Sequence, residues 1–293
     1  MMRRQQGVAL VQVLLVTTII ILLVMQLSLT AADQVKRAQQ LKDRSEAALY
    51  LHSRESALFY TLLTESLYST SGSTNPYASN WNFHGEAFVV DGLEITLQDQ
   101  SGLMRFPVLS VFDFERLLTT LGLGPTLARN LAQQLANWIG IRASGSGRPV
   151  GAMMRGESGD PVQYFAELLL LPGMDEQLYG KLAELMTLYP TPGFNPMTAP
   201  APLLRMRMPE STLRAVLAAR TKGELDQNRL WQLAGISADE VVIVYTGPGI
   251  GIGIAGDYRG VALRRNVVVG VEPYKAEPLT LWSRERLASR IPK

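Results

Sequence analysis

Residues 1–25 read MMRRQQGVALVQVLLVTTIIILLVM, and this stretch decides the fold. Val8 to Met25 carries no charge, and the first charged side chain after it is Asp33. A bilayer core takes ~20 apolar residues at a helical rise of ~1.5 Å each, so the run is long enough to cross one. Arg3 and Arg4 stand before it, which holds the N-terminus in the cytoplasm and puts everything after about residue 33 on the other side. A secretory signal peptide would have an apolar region of ~7–15 residues and a small-x-small cleavage site. This run is longer, and MQLSLTAADQ at its far end offers only a poor site at Thr30–Ala32. A plain membrane anchor remains, as does a third reading that turns on Gly7, the last residue before the apolar run.

Beyond the run, Val35, Ala38, Leu41, Ala48, Leu51, Leu58 and Leu62 recur at roughly helical spacing among charged residues of both signs. No Gly or Pro interrupts the chain through Ser66. The pattern predicts one continuous helix from about Val8 to about Glu65, roughly 80–90 Å long at ~1.5 Å per residue. Its first half is apolar all round and belongs in lipid or a helical bundle. Its second half is amphipathic, so something packs on one face. The apolar spacing is too irregular for coiled-coil heptads.

Residues 69–85 form a loop by composition. Two β-rich runs then flank Asp91-Gly92, a strong hairpin signal, which predicts strands at 86–90 and 93–99. From Val108 to about Ala238 the chain reads as short helices punctuated by Gly and Pro, with loops at Ser144–Gly151 and Arg155–Pro161. Strand character returns after that. Val261 and Leu263 alternate with Arg264, and Leu279 and Leu281 with Thr280 and Trp282. The Gly-rich piece Gly247–Gly256 looks like a nucleotide loop, but a dinucleotide fingerprint needs a strand before it and a helix after. Pro248 and the strand-like residues that follow make it a hairpin loop or a glycine-rich strand end. The predicted fold is α+β: a long N-terminal helix on an antiparallel sheet built from residues 86–99 and 240–286, with an all-α block at about 104–238 inserted between the strands.

Apolar residues make up 47% of the 293, enough to bury a sizeable core without help from cross-links. There is no cysteine, hence no disulfide, thiolate metal site or cysteine nucleophile. The two histidines, His52 and His84, are far apart and read as solvated surface residues rather than zinc ligands. Net charge is only +2, which argues against a global nucleic-acid or membrane-surface role. No Ser/His/Asp set or carboxylate pair stands out, so no enzyme is expected; a membrane-anchored periplasmic hydrolase is the enzyme-class rival.

A short basic leader ending in Gly7, followed at once by the apolar run, resembles the leader of type IV pilins and pseudopilins. The order of later pieces narrows this. Asp99-Gln100-Ser101-Gly102-Leu103 stands where the K-type minor pseudopilins of the type II secretion system have an acidic-glycine stretch. Asn137-Trp138-Ile139-Gly140 stands for an Asp-Trp-Ile-Asp-type segment, and Gly151-Ala152-Met153 for Gly-Ala-Glu. Glu167 to Met174 matches a helix and glycine turn, Phe194 to Pro200 an Asn-x-Asn-Thr-Ala segment, and a helix ends near Arg220. The chain thus resembles that family over nearly its whole length.

The resemblance implies a prepilin leader at 1–7, an N-terminal helix half in the membrane at 8–30, and a pilin-like helix and first hairpin at 31–103. An inserted all-α domain at 104–238 and the remaining strands and tail at 239–293 complete the domains. It implies cleavage between Gly7 and Val8 by a prepilin peptidase, and N-methylation of Val8. It implies a single-pass inner-membrane protein of a Gram-negative bacterium, with its bulk in the periplasm. Most pilins carry glutamate at the fifth position after the leader glycine, thought to pair with the amino terminus of the subunit ahead. K-type members lack it, and this chain has Gln12. A buried membrane carboxylate persists only with a partner, so a subunit with none ahead has no use for one. The implied function is a minor pseudopilin at the tip of the pseudopilus. It would initiate assembly with the I- and J-type minor pseudopilins for export of folded periplasmic proteins, with secreted substrates and the outer-membrane channel as further contacts.

Family members can bind calcium in the insert through carboxylates, and calcium wants several oxygen ligands. Here Asn137, Gly140 and Met153 stand where acids are expected and Arg142 adds a positive charge, leaving Glu157 and Asp160. No cofactor is expected. The runner-up function is a membrane-anchored periplasmic helix-hairpin-helix protein for DNA binding or uptake. LPGM at 171–174 and MPES at 208–211 resemble the turns of such modules, and residues 195–235 hold Arg205, Arg207, Arg214, Arg220, Lys222 and Arg229 against Glu210, Glu224 and Asp226. Glu210 sits where close phosphate approach wants glycine, so nucleic acid is not an expected partner.

Overall fold

The computed structural model describes residues 6–67, 73–106, 110–138, 154–155, 160–161, 164–235 and 243–284, and the side chains from residue 10 onward outside 138, 154–155 and 160–161. Met1–Gln5 of the leader, Ile139–Met153 and Glu157 lie outside them. The chain divides into two compact units, residues 1–54 with 257–263 and residues 55–256 with 264–293.

The first helix, α1, runs unbroken over Gln6–Thr64, as the absence of Gly and Pro predicts. From Leu10 through Leu29 its large apolar side chains are exposed on every side. Thr17, Thr18 and Thr30 return their hydroxyls to the carbonyls of Val13, Leu14 and Gln26, which satisfies polar groups without solvent. In the same unit, Glu46 pairs with Arg259 and Tyr50 stacks on Tyr258 at 4.7 Å.

A five-stranded sheet, most of it in the second unit, is ordered β1-β2-β7-β8-β9. Its strands are β1 (Phe88–Val90), β2 (Leu93–Asp99), β7 (Gly249–Tyr258), β8 (Val261–Val271) and β9 (Leu279–Arg284). The β1–β2, β2–β7 and β8–β9 ladders are antiparallel. Asp91 and Gly92 both take positive φ, 52° and 78°, the geometry that lets a two-residue turn follow strand twist.

Of the two readings open for the glycine-rich piece, the strand holds: from Gly249 it is β7, the middle strand. Its period-two pattern places Ile250, Ile252 and Ile254 in the core, while Gly249, Gly251 and Gly253 face the other side. On that side a Cβ at Gly249 would lie 2.7 Å from the Trp282 ring, one at Gly251 2.8 Å from Gln100 Nε2, and one at Gly253 2.4 Å from Thr96 Oγ1. The glycines leave room for neighbours, not for phosphates. The alternation expected at Leu279–Trp282 also fails. A bulge puts Val268 opposite Ser283 and Val269 opposite Leu281, so Trp282 is the extra residue. Its ring covers Gly249 and Gly270 and stacks on Tyr189 at 5.2 Å, while Leu281 is turned outward.

Between β2 and β7 lies the helical insert: α2 (Val111–Thr120), α3 (Pro125–Trp138), α4 (Glu176–Ala183), α5 (Ala201–Arg207), α6 (Glu210–Thr221) and α7 (Gln227–Ala234). Ser110, Asp175 and Asp226 cap the N-termini of α2, α4 and α7, each accepting a backbone N–H three residues on. One core centres on Phe106, Phe114, Leu117, Leu131, Leu168 and Leu203, a second on Leu204, Leu213, Val216 and Leu230. The helix expected before the Pro172-Gly173 turn is a 3-10 segment, Phe165–Leu170. Two short pairings were not expected. β3 (Met104–Arg105) lies parallel to β6 (Met186–Thr187), and β4 (Met154–Arg155) pairs with β5 (Asp160–Pro161) inside the predicted loop. Strands of two residues leave too little pattern to be read from sequence.

Candidate functional site

Two buried carboxylates organise the second unit. Glu55, on α1, is 1% exposed and accepts from Arg265 Nη1 of β8 at 2.8 Å and from Arg284 Nη2 of β9. Arg265 shares its strand face with Leu263, Val267 and Val269, all buried, so the ion pair places the helix on the apolar side of the sheet. Leu58 and Leu62, one and two turns further along α1, are fully buried. From Glu55 onward the helix therefore packs on the antiparallel sheet, with a charged clasp at its edge. Glu55 was not singled out in the sequence, because a lone glutamate in a helix of mixed charge gives no sign of burial.

Asp99, the last residue of β2, is the second. It is fully buried and, among the described residues, faces neutral donors: Ser101 N at 2.8 Å, Thr198 Oγ1 at 2.9 Å, Asn195 Nδ2 at 3.0 Å and Gly247 N at 3.2 Å. Asn195 also donates to Tyr245 O, and its backbone N–H to Ser101 O. Gln98 Nε2 donates to Thr198 O, and Thr187 Oγ1 to Gln100 Oε1. Gly102 completes the knot, since a Cβ there would lie 2.6 Å from Thr198 O. Burial pushes the Asp99 carboxyl above the usual carboxylate range, and the four donors pull it back.

The quoted segments 99–103 and 194–200 are thus a single place: the end of β2, the approach to α5 and the entry to β7, tied through one carboxylate. Asn195 and Thr198 lie ~100 residues from Asp99 in sequence, a separation no local pattern reports. His84 belongs to the same neighbourhood through its bridge to Gln98. It is not the solvated residue that the sequence suggested. Burial, with the Arg220 guanidinium acting in the same direction, lowers its pKa to about 4.

The N-terminal candidates fall on α1. Gly7 lies in its first turns, Val8 next to it, and Gln12 is exposed one turn on, within the apolar stretch. The basic side chains of 195–235 are partly committed elsewhere. Arg220 donates to Ala199 O at 2.9 Å and Pro196 O at 3.0 Å, Arg205 pairs with Glu210 at 3.3 Å, and Arg207 lies over the Phe194 ring at 4.2 Å. Three of the six cations counted as a basic patch are thus tied to the insert's own groups.

A family model described as type II secretion system, protein K, matches residues 100–191, which span the first part of the insert and begin beside Asp99. A curated relative, the type II secretion system protein K of Klebsiella pneumoniae, is 27% identical over 207 residues, covering 62% of this chain and 62% of the relative. Over these matches the chain is similar to the protein K family of the type II secretion minor pseudopilins. The chain matches about three-fifths of the length of that curated relative. A chain in the crystal structure of the GspK-GspI-GspJ complex from enterotoxigenic Escherichia coli aligns with a TM-score of 0.51 at 18% identity, covering 85% of this chain and 98% of that one. That likeness agrees with the pilin-like α+β fold derived above.

Asn137, at the end of α3, offers a neutral oxygen that already accepts from Gln133 Nε2 at 3.3 Å, and Asp160 is in the β4–β5 pairing with Arg155 opposite. Among the described residues no three His, Asp or Glu side chains lie close enough to share an ion.

Proposed function

We propose that this protein is the tip subunit of a type II secretion pseudopilus, where it initiates assembly with I- and J-type minor pseudopilins. The observation that carries this reading is the insert. It interrupts a pilin-like helix-and-sheet frame between β2 and β7 and is locked to it through Asp99. Added bulk of this kind crowds a helically packed shaft and is accommodated at an end. Gln12 supports the same place: with no subunit ahead, the membrane carboxylate of other pilins has no partner to neutralise it. The likeness to a chain of the GspK-GspI-GspJ complex supports the choice of partners. The role is structural, and the apolar half of α1 serves as a single-pass inner-membrane anchor with the rest of the chain periplasmic.

The deciding experiment is co-purification of the full-length chain, in detergent, with its I- and J-type partners. A defined ternary complex is expected. A protein that stays alone with both, together with intact secretion after deletion of the gene, would remove the tip assignment. Processing is read by mass spectrometry of the mature N-terminus, expected to begin at a methylated Val8. Replacing Gly7 by a bulky residue should leave the leader attached. An intact Met1, or a cut near Ala32, would sink the pilin reading. Without acids at Asn137, Gly140 and Met153, no calcium dependence is proposed, and added calcium should leave the melting temperature unchanged.

A further inference from the structure

The insert holds a cavity of about 280 Å³. Its walls include Met104 and Arg105 of β3, Asp113 in the first turn of α2, Pro192 and Phe194 on the segment leading to α5, and Arg207 at the end of α5. Two guanidiniums and one carboxylate therefore border it. Asp113 is already engaged, accepting the Ser110 hydroxyl at 2.7 Å within the α2 cap. Neither Arg105 nor Arg207 is in a salt bridge among the described residues. Arg105 Nε is buried and, among the described residues, has no acceptor. Arg207 is held with its guanidinium over the Phe194 ring, which fixes its plane and leaves its edge donors for another group.

A buried N–H of a charged group without an acceptor is costly, and a planar anion is what would satisfy it. Guanidiniums match carboxylates through paired N–H···O bonds. The cavity has room for a small acidic side chain or a chain-terminal carboxylate, and Met104 and Phe194 give it apolar wall for the attached carbons.

We infer that the cavity between β3, α2 and α5 is a binding site for a peptide-borne carboxylate, gripped by Arg105 and Arg207. The site lies in the insert and does not depend on where the protein stands in an assembly.

The test is calorimetry on the full-length chain in detergent with three short probes. Ac-Gly-Gly-Gly carries a terminal carboxylate, Ac-Gly-Glu-Gly-NH2 a side-chain carboxylate, and Ac-Gly-Gln-Gly-NH2 none. At least one acid probe is expected to bind while the amide probe does not, and which one binds distinguishes a chain end from an acidic side chain. Arg105→Met and Arg207→Met should each weaken binding about tenfold or more, the loss expected for a charge-assisted hydrogen bond. Arg214→Met, a neighbouring arginine outside the cavity, should leave binding unchanged. Arg207 is exposed, so its variant folds even if Arg105→Met does not. Equal binding of acid and amide probes, no binding of either acid, or unchanged binding in Arg207→Met would overturn the site.

Discussion

The clasp at Glu55 and the knot at Asp99 each bury a carboxylate, and they do so by opposite means. Glu55 is matched by charge, with Arg265 and Arg284 reaching it from two neighbouring strands. Asp99 has no cation in contact among the described residues and is matched by four neutral donors, one from Ser101 beside it and three from two distant segments. The charged pair joins two regular elements, a helix and a sheet, whose side chains are long enough to span between them. The neutral knot joins irregular segments, whose backbone N–H groups and short polar side chains can converge on one atom. The general lesson is that a helix-to-sheet contact leaves only side chains to bind it. A junction between loops must also satisfy its backbone, and one acceptor can do several of those tasks at once.

The comparison can be broken from either side. The largest effect is expected at the clasp. Glu55→Ala leaves Arg265, which is only 14% exposed, facing a hole, and stability should fall by about 3–5 kcal/mol in urea denaturation. Replacing Glu55 and Arg265 together by apolar residues should recover much of that loss, as buried ion pairs often permit. At the knot, Asp99→Asn puts a donor where donors already converge, and a loss of about 2–3 kcal/mol is expected from the same measurement. Should Asp99→Asn cost more than Glu55→Ala, neutral matching would be the stronger of the two.

Gly102→Ala sharpens the comparison by leaving every polar group in place. Its Cβ would meet backbone, Thr198 O, which cannot swing aside, so about 1–3 kcal/mol should be lost through displacement of the segment that carries Asn195 and Thr198. The smallest effect at neutral pH, and the one with a pH signature, is at His84. Its folded-state pKa of about 4 lies below the unfolded value near 6.5. Its contribution to stability is therefore complete above pH 6.5, because the ring is neutral in both states there. It is lost as the pH falls towards 4, because the unfolded chain takes up the proton first. The limb should amount to roughly 3 kcal/mol at most, at ~1.4 kcal/mol per pKa unit. His84→Gln should flatten it in thermal melts at pH 7, 5.5 and 4. An unchanged limb would place the acid sensitivity elsewhere. Asp99 works in the other direction, since its raised pKa favours the folded state at low pH and loses that contribution as the pH rises through the folded value.

Much of the fold was legible because it rests on local pattern. The unbroken helix followed from the missing breakers between Gly7 and the first loop. The β1–β2 hairpin followed from Asp91-Gly92. Where a residue's environment is made by something far along the chain, the reading failed. Gly249–Gly253 carry the composition of a loop, and only the Trp282 ring, the Gln100 amide and the Thr96 hydroxyl pressing on them show why a central strand needs glycine there. Trp282 itself escaped its expected alternation because a bulge inserts one residue, and a period of two cannot signal its own interruption.

By itself, then, the sequence determined the membrane-length helix, the antiparallel hairpins, the inserted helical block and the family likeness, because apolar periodicity, turn chemistry and segment order are written in neighbouring residues. The tertiary structure alone decided that Glu55 and Asp99 are buried and what each one holds. Burial is a property of the partners that close over a side chain. For Glu55 those partners stand 210 and 229 positions away, and for Asp99, apart from Ser101, they stand 96 to 148 away.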